Sequence, residues 1–147
     1  MAYDEAIRSI TLDSDSSLAV YTGVPGLPGS ADPNGGKQYC FVKVVGANTC
    51  GLAVGASNEI PIGVMQNKPQ NIGMAATVAI RGVSKTIAGA AVTAGDPVKL
   101  DNAGRVVTAT LPTDGTKVVG IALAAAGAAN NVIPCLLMVG HVTAPNA

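Results

Sequence analysis

The side chains that could do chemistry in this sequence are few, and their spacing matches no reactive pattern. Three cysteines, Cys40, Cys50 and Cys135, and one histidine, His141, are the candidate metal ligands and nucleophiles. Zinc sites hold such ligands at characteristic short spacings, which these four lack. Nucleophilic catalysis needs a neighbouring base, and no Gly-x-Ser-x-Gly motif surrounds any serine. We predict that the chain is not an enzyme and holds no metal ion or cofactor.

A glycine-rich stretch at residues 31–38 (ADPNGGKQ) approaches the pattern of a phosphate-binding loop. Such a loop needs Ser or Thr after its lysine to hold magnesium, and Gln38 stands there instead. The loop must also join a strand to a helix, whereas an irregular segment precedes it and a predicted strand follows. Nucleotide binding is therefore not expected.

The carboxylates after residue 38 do not suggest acid–base catalysis. Only Glu59, Asp96, Asp101 and Asp114 remain there, and the three aspartates lie in turn sequences. Aspartate in a turn usually accepts hydrogen bonds from nearby backbone amides. Paired carboxylates for glycoside hydrolysis could arise only if distant residues met in the fold.

The composition favours a protein that buries part of its surface against another protein. Nine basic and nine acidic residues balance, which argues against a nucleic-acid-binding protein with a basic stripe. Charged residues make up only 12% of the chain and hydrophobic residues 48%. The longest apolar run, 118–129, contains two glycines and is shorter than the roughly 20 residues of a membrane helix. We expect apolar surface to be hidden against copies of this chain or a partner.

The cysteines and the N-terminal sequence predict a reducing compartment. Residues 1–5 (MAYDE) are acidic and polar, unlike a signal peptide. An odd number of cysteines in a reducing environment indicates buried free thiols. We therefore expect the protein to be made in the cytoplasm of the producing cell.

Residues 1–38 differ from the remainder of the chain and are predicted to form an extended N-terminal arm. They carry five acidic and two basic residues, a net charge of −3, whereas residues 39–147 carry four and seven, a net charge of +3. Residues 23–37 hold three prolines and five glycines, which disfavour a packed element. Six apolar residues are more than a solvated tail needs, and we predict that they bind a partner surface: Tyr3, Ile7, Ile10, Leu12, Leu18 and Tyr21.

Residues 39–147 are predicted to form an all-β body, either a barrel or a sandwich. Short apolar or alternating runs are separated by turn sequences at 46–48, 57–58, 67–69 and 113–115. Two alanine-rich stretches, 88–94 and 122–129, could each form a short helical turn, although glycines disfavour a long helix. The predicted strands lie at 39–45, 52–54, 61–65, 77–81, 83–87, 98–100, 105–110, 117–123 and 132–139.

The segment 91–109 has the clearest local signal, which is a β-hairpin. Val98 and Leu100 fall on one face of its first strand, with Lys99 and Asp101 on the other. The sequence Asp-Asn-Ala-Gly at 101–104 has turn chemistry, and Gly104 suits a left-handed backbone. Elsewhere, 62–64 (IGV) resembles 119–121 (VGI), and a central glycine in a strand marks a close backbone approach.

Five stretches occur in the order found in a known family. They are 61–66 (PIGVMQ), 76–83 (ATVAIRGV), 88–98 (AGAAVTAGDPV), 103–106 (AGRV) and 118–125 (VVGIALAA). Over about residues 39–140 the chain resembles the capsid cement, or head-decoration, proteins of tailed bacteriophages. Many relatives carry an acid where this chain has Ala124, so the surface near that strand's end is expected to be unusually apolar.

The resemblance implies a fold and a function. The fold would be a compact β-rich body, often called a β-tulip, with an N-terminal arm that reaches the capsid or an adjacent subunit. The function would be to bind the exterior of an expanded phage head as a homotrimer and to stabilise contacts between major capsid protein subunits. The partners would be that protein and further copies of this chain, with no nucleic acid and no membrane.

A small β-barrel binding module is the alternative interpretation. A lipoyl-type carrier needs an exposed lysine at a hairpin tip, but Lys99 lies within a predicted strand and the tip is Asn102-Ala103. A carbohydrate-binding domain usually offers an aromatic platform, and no aromatic residue follows Phe41.

Overall fold

The computed structural model describes residues 8–19, 37–55, 59–111, 113 and 117–139. Over these residues the chain is all-β, as the sequence predicts, with ten strands in two sheets. The described residues contain no helix that is long and apolar enough to cross a membrane. The strands are Arg8–Ser14 (β1), Phe41–Gly46 (β2), Thr49–Leu52 (β3), Gly63–Met65 (β4), Ala75–Arg81 (β5), Val83–Ile87 (β6), Pro97–Leu100 (β7), Val106–Thr108 (β8), Gly120–Ala122 (β9) and Val132–Leu137 (β10).

The first sheet closes into a small barrel with the order β1-β3-β2-β4-β5. Strand β1 closes it, because β1 pairs antiparallel with β5 and parallel with β3. The side chain of Leu18, just after β1, is fully buried. Residues 8–19 are thus part of the body, and the predicted boundary at residue 38 is corrected for them. The backbone of β1 pairs with β3 and β5, and the side chains of Leu12 and Leu18 pack inside the barrel.

The second sheet is open and has the order β6-β10-β9-β7-β8. It follows the barrel directly, since only Gly82 separates β5 from β6. The amide of Leu137 donates to the Gly82 carbonyl at 2.9 Å, which ties the end of β10 to this connection.

Two apolar clusters hold the sheets together. Adjacent residues of one barrel strand point to opposite sides of its wall. Val42 therefore packs inside the barrel, whereas Phe41 packs between the barrel and the second sheet. Both side chains are fully buried. The second sheet contributes its inner residues to the cluster with Phe41, among them Val98, Ile133 and Cys135.

The predicted hairpin is present, and its turn joins the two sheets. Val98 and Leu100 are buried as expected, and Gly104 has a φ of +70°. The Phe41 amide of the barrel donates to the Gly104 carbonyl at 2.9 Å. The Gly55 amide donates to the Asp101 carbonyl at 2.9 Å. The turn therefore does more than reverse the chain, because it binds the backbone of the barrel.

The two alanine-rich stretches do not form helical turns, and that prediction is wrong. Val92 and Ala126 pair as an isolated antiparallel bridge. The Val92 amide donates to the Ala126 carbonyl at 3.0 Å, and the Ala126 amide donates back at 2.9 Å. Pairing between the stretches satisfies backbone groups that a helical turn would have satisfied locally.

Candidate interaction surfaces

The side chains that could do chemistry are not assembled into a reactive site in the described part of the chain. No three His, Cys, Asp or Glu residues come together there in a way that could hold a metal ion. Cys40, Cys50 and Cys135 are buried free thiols, as predicted. His141, Asp114 and most of the glycine-rich stretch 31–38 lie outside the described residues.

Two of the thiols are held in the neutral form. Burial raises the pKa of Cys135 from 9.0 to about 12. Burial also raises the pKa of Cys50 to about 11, and the negative charge of Asp15 adds to this effect. Because only the thiolate is nucleophilic, neither cysteine is a reactive group at neutral pH.

These pKa shifts predict a loss of stability at alkaline pH. Above the unfolded-state pKa of about 9, unfolded thiols ionise while the folded thiols keep their protons, so rising pH favours unfolding. Each thiol can lower the free energy of unfolding by about 1.4 kcal/mol per pH unit in this range. Urea unfolding at about pH 8 and pH 10.5 measures the loss. A variant carrying Cys50→Ala and Cys135→Ala should lose less on going to pH 10.5, and an equal loss would contradict the prediction.

The outer face of the second sheet is a largely apolar surface that is exposed along β10. The strand register places Val132, Pro134 and Leu136 of β10 beside Ile87, Lys85 and Val83 of β6. On the other side, Leu136 lies beside Ile121 of β9, which itself pairs with Pro97 of β7. Lys99 and Val107 continue the same face across β7 and β8. We call these ten residues the outer sheet face: Val83, Lys85, Ile87, Pro97, Lys99, Val107, Ile121, Val132, Pro134 and Leu136.

Eight of the ten side chains in the outer sheet face are apolar, the other two are lysines, and none is acidic. Val132 is 50% exposed and Leu136 is 36% exposed. Leu123 and Met138, just beyond the ends of β9 and β10, are also exposed. The exposure of Leu123 agrees with the apolar surface expected near Ala124. Contiguous exposed apolar surface is characteristic of protein–protein contact sites, so the outer sheet face is a candidate interaction surface.

A second surface is a cleft at the end of the barrel where β1 begins. Arg8 of β1 lies directly opposite Arg81 of β5, and both side chains are exposed. The cleft has a volume of about 460 Å³. We call it the arginine cleft, and its remaining lining is apolar: Ile60, Pro61, Ile62, Ile80 and Val139.

A third surface, at the other end of β1, carries an acid among apolar side chains. The Asp13 amide donates to the Asn48 carbonyl at 2.8 Å, and the Ser14 amide donates to the Met74 carbonyl at 2.9 Å. These bonds bring the β2–β3 turn and the loop before β5 to the end of β1. Val45, Ile72 and Met74 are each between 44% and 46% exposed. We call Asp13, Val45, Ile72 and Met74 the barrel tip.

The six predicted arm residues are not brought together as one surface. Leu18 is fully buried and Leu12 packs partly buried in the same cluster inside the barrel. Ile10 is 39% exposed on β1. Tyr3, Ile7 and Tyr21 lie outside the described residues. Partner binding by these residues stays a prediction, and for Leu18 it would require the barrel to open.

Sequence reasoning predicted apolar surface near Ala124 but identified none of the three surfaces as such, although one further signal was present. Both alternating sets of β10 are apolar, with Val132, Pro134 and Leu136 in one and Ile133, Cys135 and Leu137 in the other. A strand covered on only one face would alternate between apolar and polar residues. The apolar residues in both sets of β10 therefore indicated that a partner covers the outward face of this strand as well.

The fold and these surfaces define a class: a small two-sheet β-protein whose most prominent surface features are exposed apolar patches. Residues 41–137 match the model of a family described as phage cement protein. The chain belongs to this family of structural phage proteins, and the predicted resemblance is confirmed.

A solved structure shares the fold. The N base of head fiber gp8.5 of bacteriophage phi29 is similar with a TM-score of 0.60 and 18% sequence identity. The similarity covers 88% of this chain and 92% of that one. No curated protein matches the sequence of the chain.

Proposed function

We propose that this protein decorates the exterior of an expanded phage head as a homotrimer and stabilises contacts between major capsid protein subunits. It would be made in the cytoplasm of the bacterial host and act without catalysis in the assembled virion. Membership of the phage cement family supports a role on the capsid. The phi29 head fiber base gives the same fold in another phage head protein.

The outer sheet face is the feature of the structure that best supports a contact with the capsid. Its apolar side chains would gain stability on burial, at about 25 cal/mol per Å² of apolar surface removed from water. Its only charged residues are Lys85 and Lys99. Because the face contains no acidic residue, a twofold contact between two copies of it would place no carboxylate opposite either lysine. The face therefore suits an unlike surface, and we assign it to the capsid.

The N-terminal arm is the second proposed contact. In this proposal residues before β1 and between residues 20 and 36 reach the capsid or a neighbouring subunit, with Tyr3, Ile7 and Tyr21 as anchors and exposed Ile10 beside them. Three arms per trimer would bind together, so that weak single contacts add up to firm attachment.

The test is attachment to expanded heads that lack this protein. A variant carrying Val132→Asp and Leu136→Asp places two charges on the outer sheet face, and burying an unpaired carboxylate is costly. We expect its affinity for heads to fall by at least about 100-fold, measured by co-sedimentation.

The matched control is Val44→Asp, because Val44 is similarly exposed (57%) but lies on β2 of the barrel. This variant should attach as the wild type does. Urea unfolding checks that the variants remain folded. Wild-type attachment by the Val132→Asp and Leu136→Asp variant would rule out the outer sheet face as the shell contact.

A further inference from the structure

We propose that the barrel tip of one copy docks into the arginine cleft of the next copy, and that this head-to-tail contact builds the trimer. The inference rests on the proposed function for the existence of a trimer. It adds which surfaces meet, and it names the side chains that pair across the contact.

The arginine cleft suits an anionic partner. Arg8 and Arg81 are directly opposite each other on neighbouring antiparallel strands, where like charges repel. Among the described residues, no carboxylate lies within salt-bridge distance of either guanidinium. Guanidinium groups pair well with carboxylates, often through two parallel hydrogen bonds. The apolar walls beside them call for a partner with apolar side chains next to its acid.

The barrel tip supplies this chemistry. Of the acids in the described residues, Asp15, Glu59, Asp96 and Asp101 all accept hydrogen bonds within the chain. The carboxylate of Asp13 accepts no hydrogen bond from the described residues and is exposed. It is accompanied by the exposed side chains of Val45, Ile72 and Met74.

The two surfaces cannot meet within one chain. Arg8 and Asp13 belong to the same strand and are five residues apart, so they are separated by about 17 Å of rigid backbone. The strand keeps the cleft and the tip at its opposite ends. A tip that enters a cleft must therefore come from another copy.

A closed trimer needs two unlike surfaces on each subunit. Cyclic symmetry other than twofold uses head-to-tail contacts, in which one surface of a subunit meets a different surface of the next. The tip and the cleft are two such surfaces, with opposite charge and similar apolar character. The outer sheet face, which has one kind of charge only, remains available for the shell.

The experiment is a mixing test on two single-site variants of the full chain. Arg81→Glu removes the positive charge of the cleft but leaves the tip intact. Asp13→Arg reverses the charge of the barrel tip but leaves the cleft intact. Size-exclusion chromatography with light scattering should show a trimer for the wild type and monomers for each variant. An equimolar mixture should associate again, because the intact tip of the Arg81→Glu variant fits the intact cleft of the Asp13→Arg variant.

Two controls keep the result interpretable. Lys117→Glu changes the net charge as Arg81→Glu does, but lies outside the cleft, and it should stay trimeric. Asp13→Asn removes the charge of the tip without adding bulk, and it should weaken the trimer if Asp13→Arg disturbs β1. Thermal unfolding establishes that each variant is folded.

Trimers that persist in both Arg81→Glu and Asp13→Arg would overturn the proposal, and so would a mixture that stays monomeric. A wild-type chain that is monomeric, or that forms open filaments, would also overturn it. None of these results decides whether the outer sheet face binds heads, which the co-sedimentation of the Val132→Asp and Leu136→Asp variant measures separately.

Discussion

Replacing Gly63 with alanine is expected to lower the free energy of unfolding by about 3 kcal/mol. Gly63 begins β4, in the middle of the barrel, and pairs with Val42 of β2. A Cβ atom at this position would contact the carbonyl oxygen of Ala79 and lie 2.9 Å from its carbonyl carbon. It would also lie 2.8 Å from a methyl group of Val78. The backbone of β5 would have to move, and it cannot do so without disturbing its pairing with β1.

The control for this prediction is Gly127→Ala. A Cβ atom at Gly127 meets no heavy atom within 4 Å, and the glycine is exposed. Alanine there should be neutral or slightly stabilising, because it restricts the unfolded chain. Urea unfolding of the two variants and the wild type gives the comparison. Equal stability of Gly63→Ala and Gly127→Ala would show that the barrel tolerates a wider spacing between β4 and β5.

Replacing Asp101 with alanine is expected to cost about 2–3 kcal/mol, because one carboxylate organises the turn that joins the two sheets. Its Oδ1 accepts hydrogen bonds from the amides of Ala103 (2.8 Å) and Arg105 (3.0 Å). Its Oδ2 accepts from the Arg105 guanidinium at 2.8 Å. Removing the side chain leaves these partly buried donors without their acceptor.

Asp101→Asn separates the two roles of this carboxylate. Asparagine keeps one oxygen to accept from the two amides but loses the ion pair with Arg105, which is partly exposed and contributes little. We expect a loss of about 1 kcal/mol for this variant, measured by urea unfolding. A loss as large as that of Asp101→Ala would instead assign most of the energy to the ion pair.

Local sequence patterns predicted most of the strands. The predicted strand at 83–87 coincides with β6, and those at 61–65, 77–81 and 132–139 contain or overlap β4, β5 and β10. The reason is that strand formation here depends on β-branched residues and turn chemistry, which are local properties. The close approach expected at two central glycines is also present, since neither Gly63 nor Gly120 leaves room for a side chain.

The arm shows where local patterns fail. Proline and glycine at 23–37 and acidic residues before them made residues 1–38 look like one separate segment. Nothing local reveals that β1 inserts between β3 and β5, because its partners lie between 36 and 73 residues further along the chain. The alanine-rich stretches fail for the same reason, since Val92 is bridged by Ala126, 34 residues later.

The sequence by itself determined that this is an all-β chain, rich in hydrophobic residues and poor in charged ones. It also determined the family, because the order of small and β-branched residues is characteristic. Only the tertiary structure decided which apolar residues are exposed and which surfaces they form. In β10 both alternating sets of residues are apolar, so only the packing of the second sheet against the barrel determines which set faces outward. Likewise, only strand pairing places Arg8 opposite Arg81, because contacts between distant residues depend on how the whole chain packs.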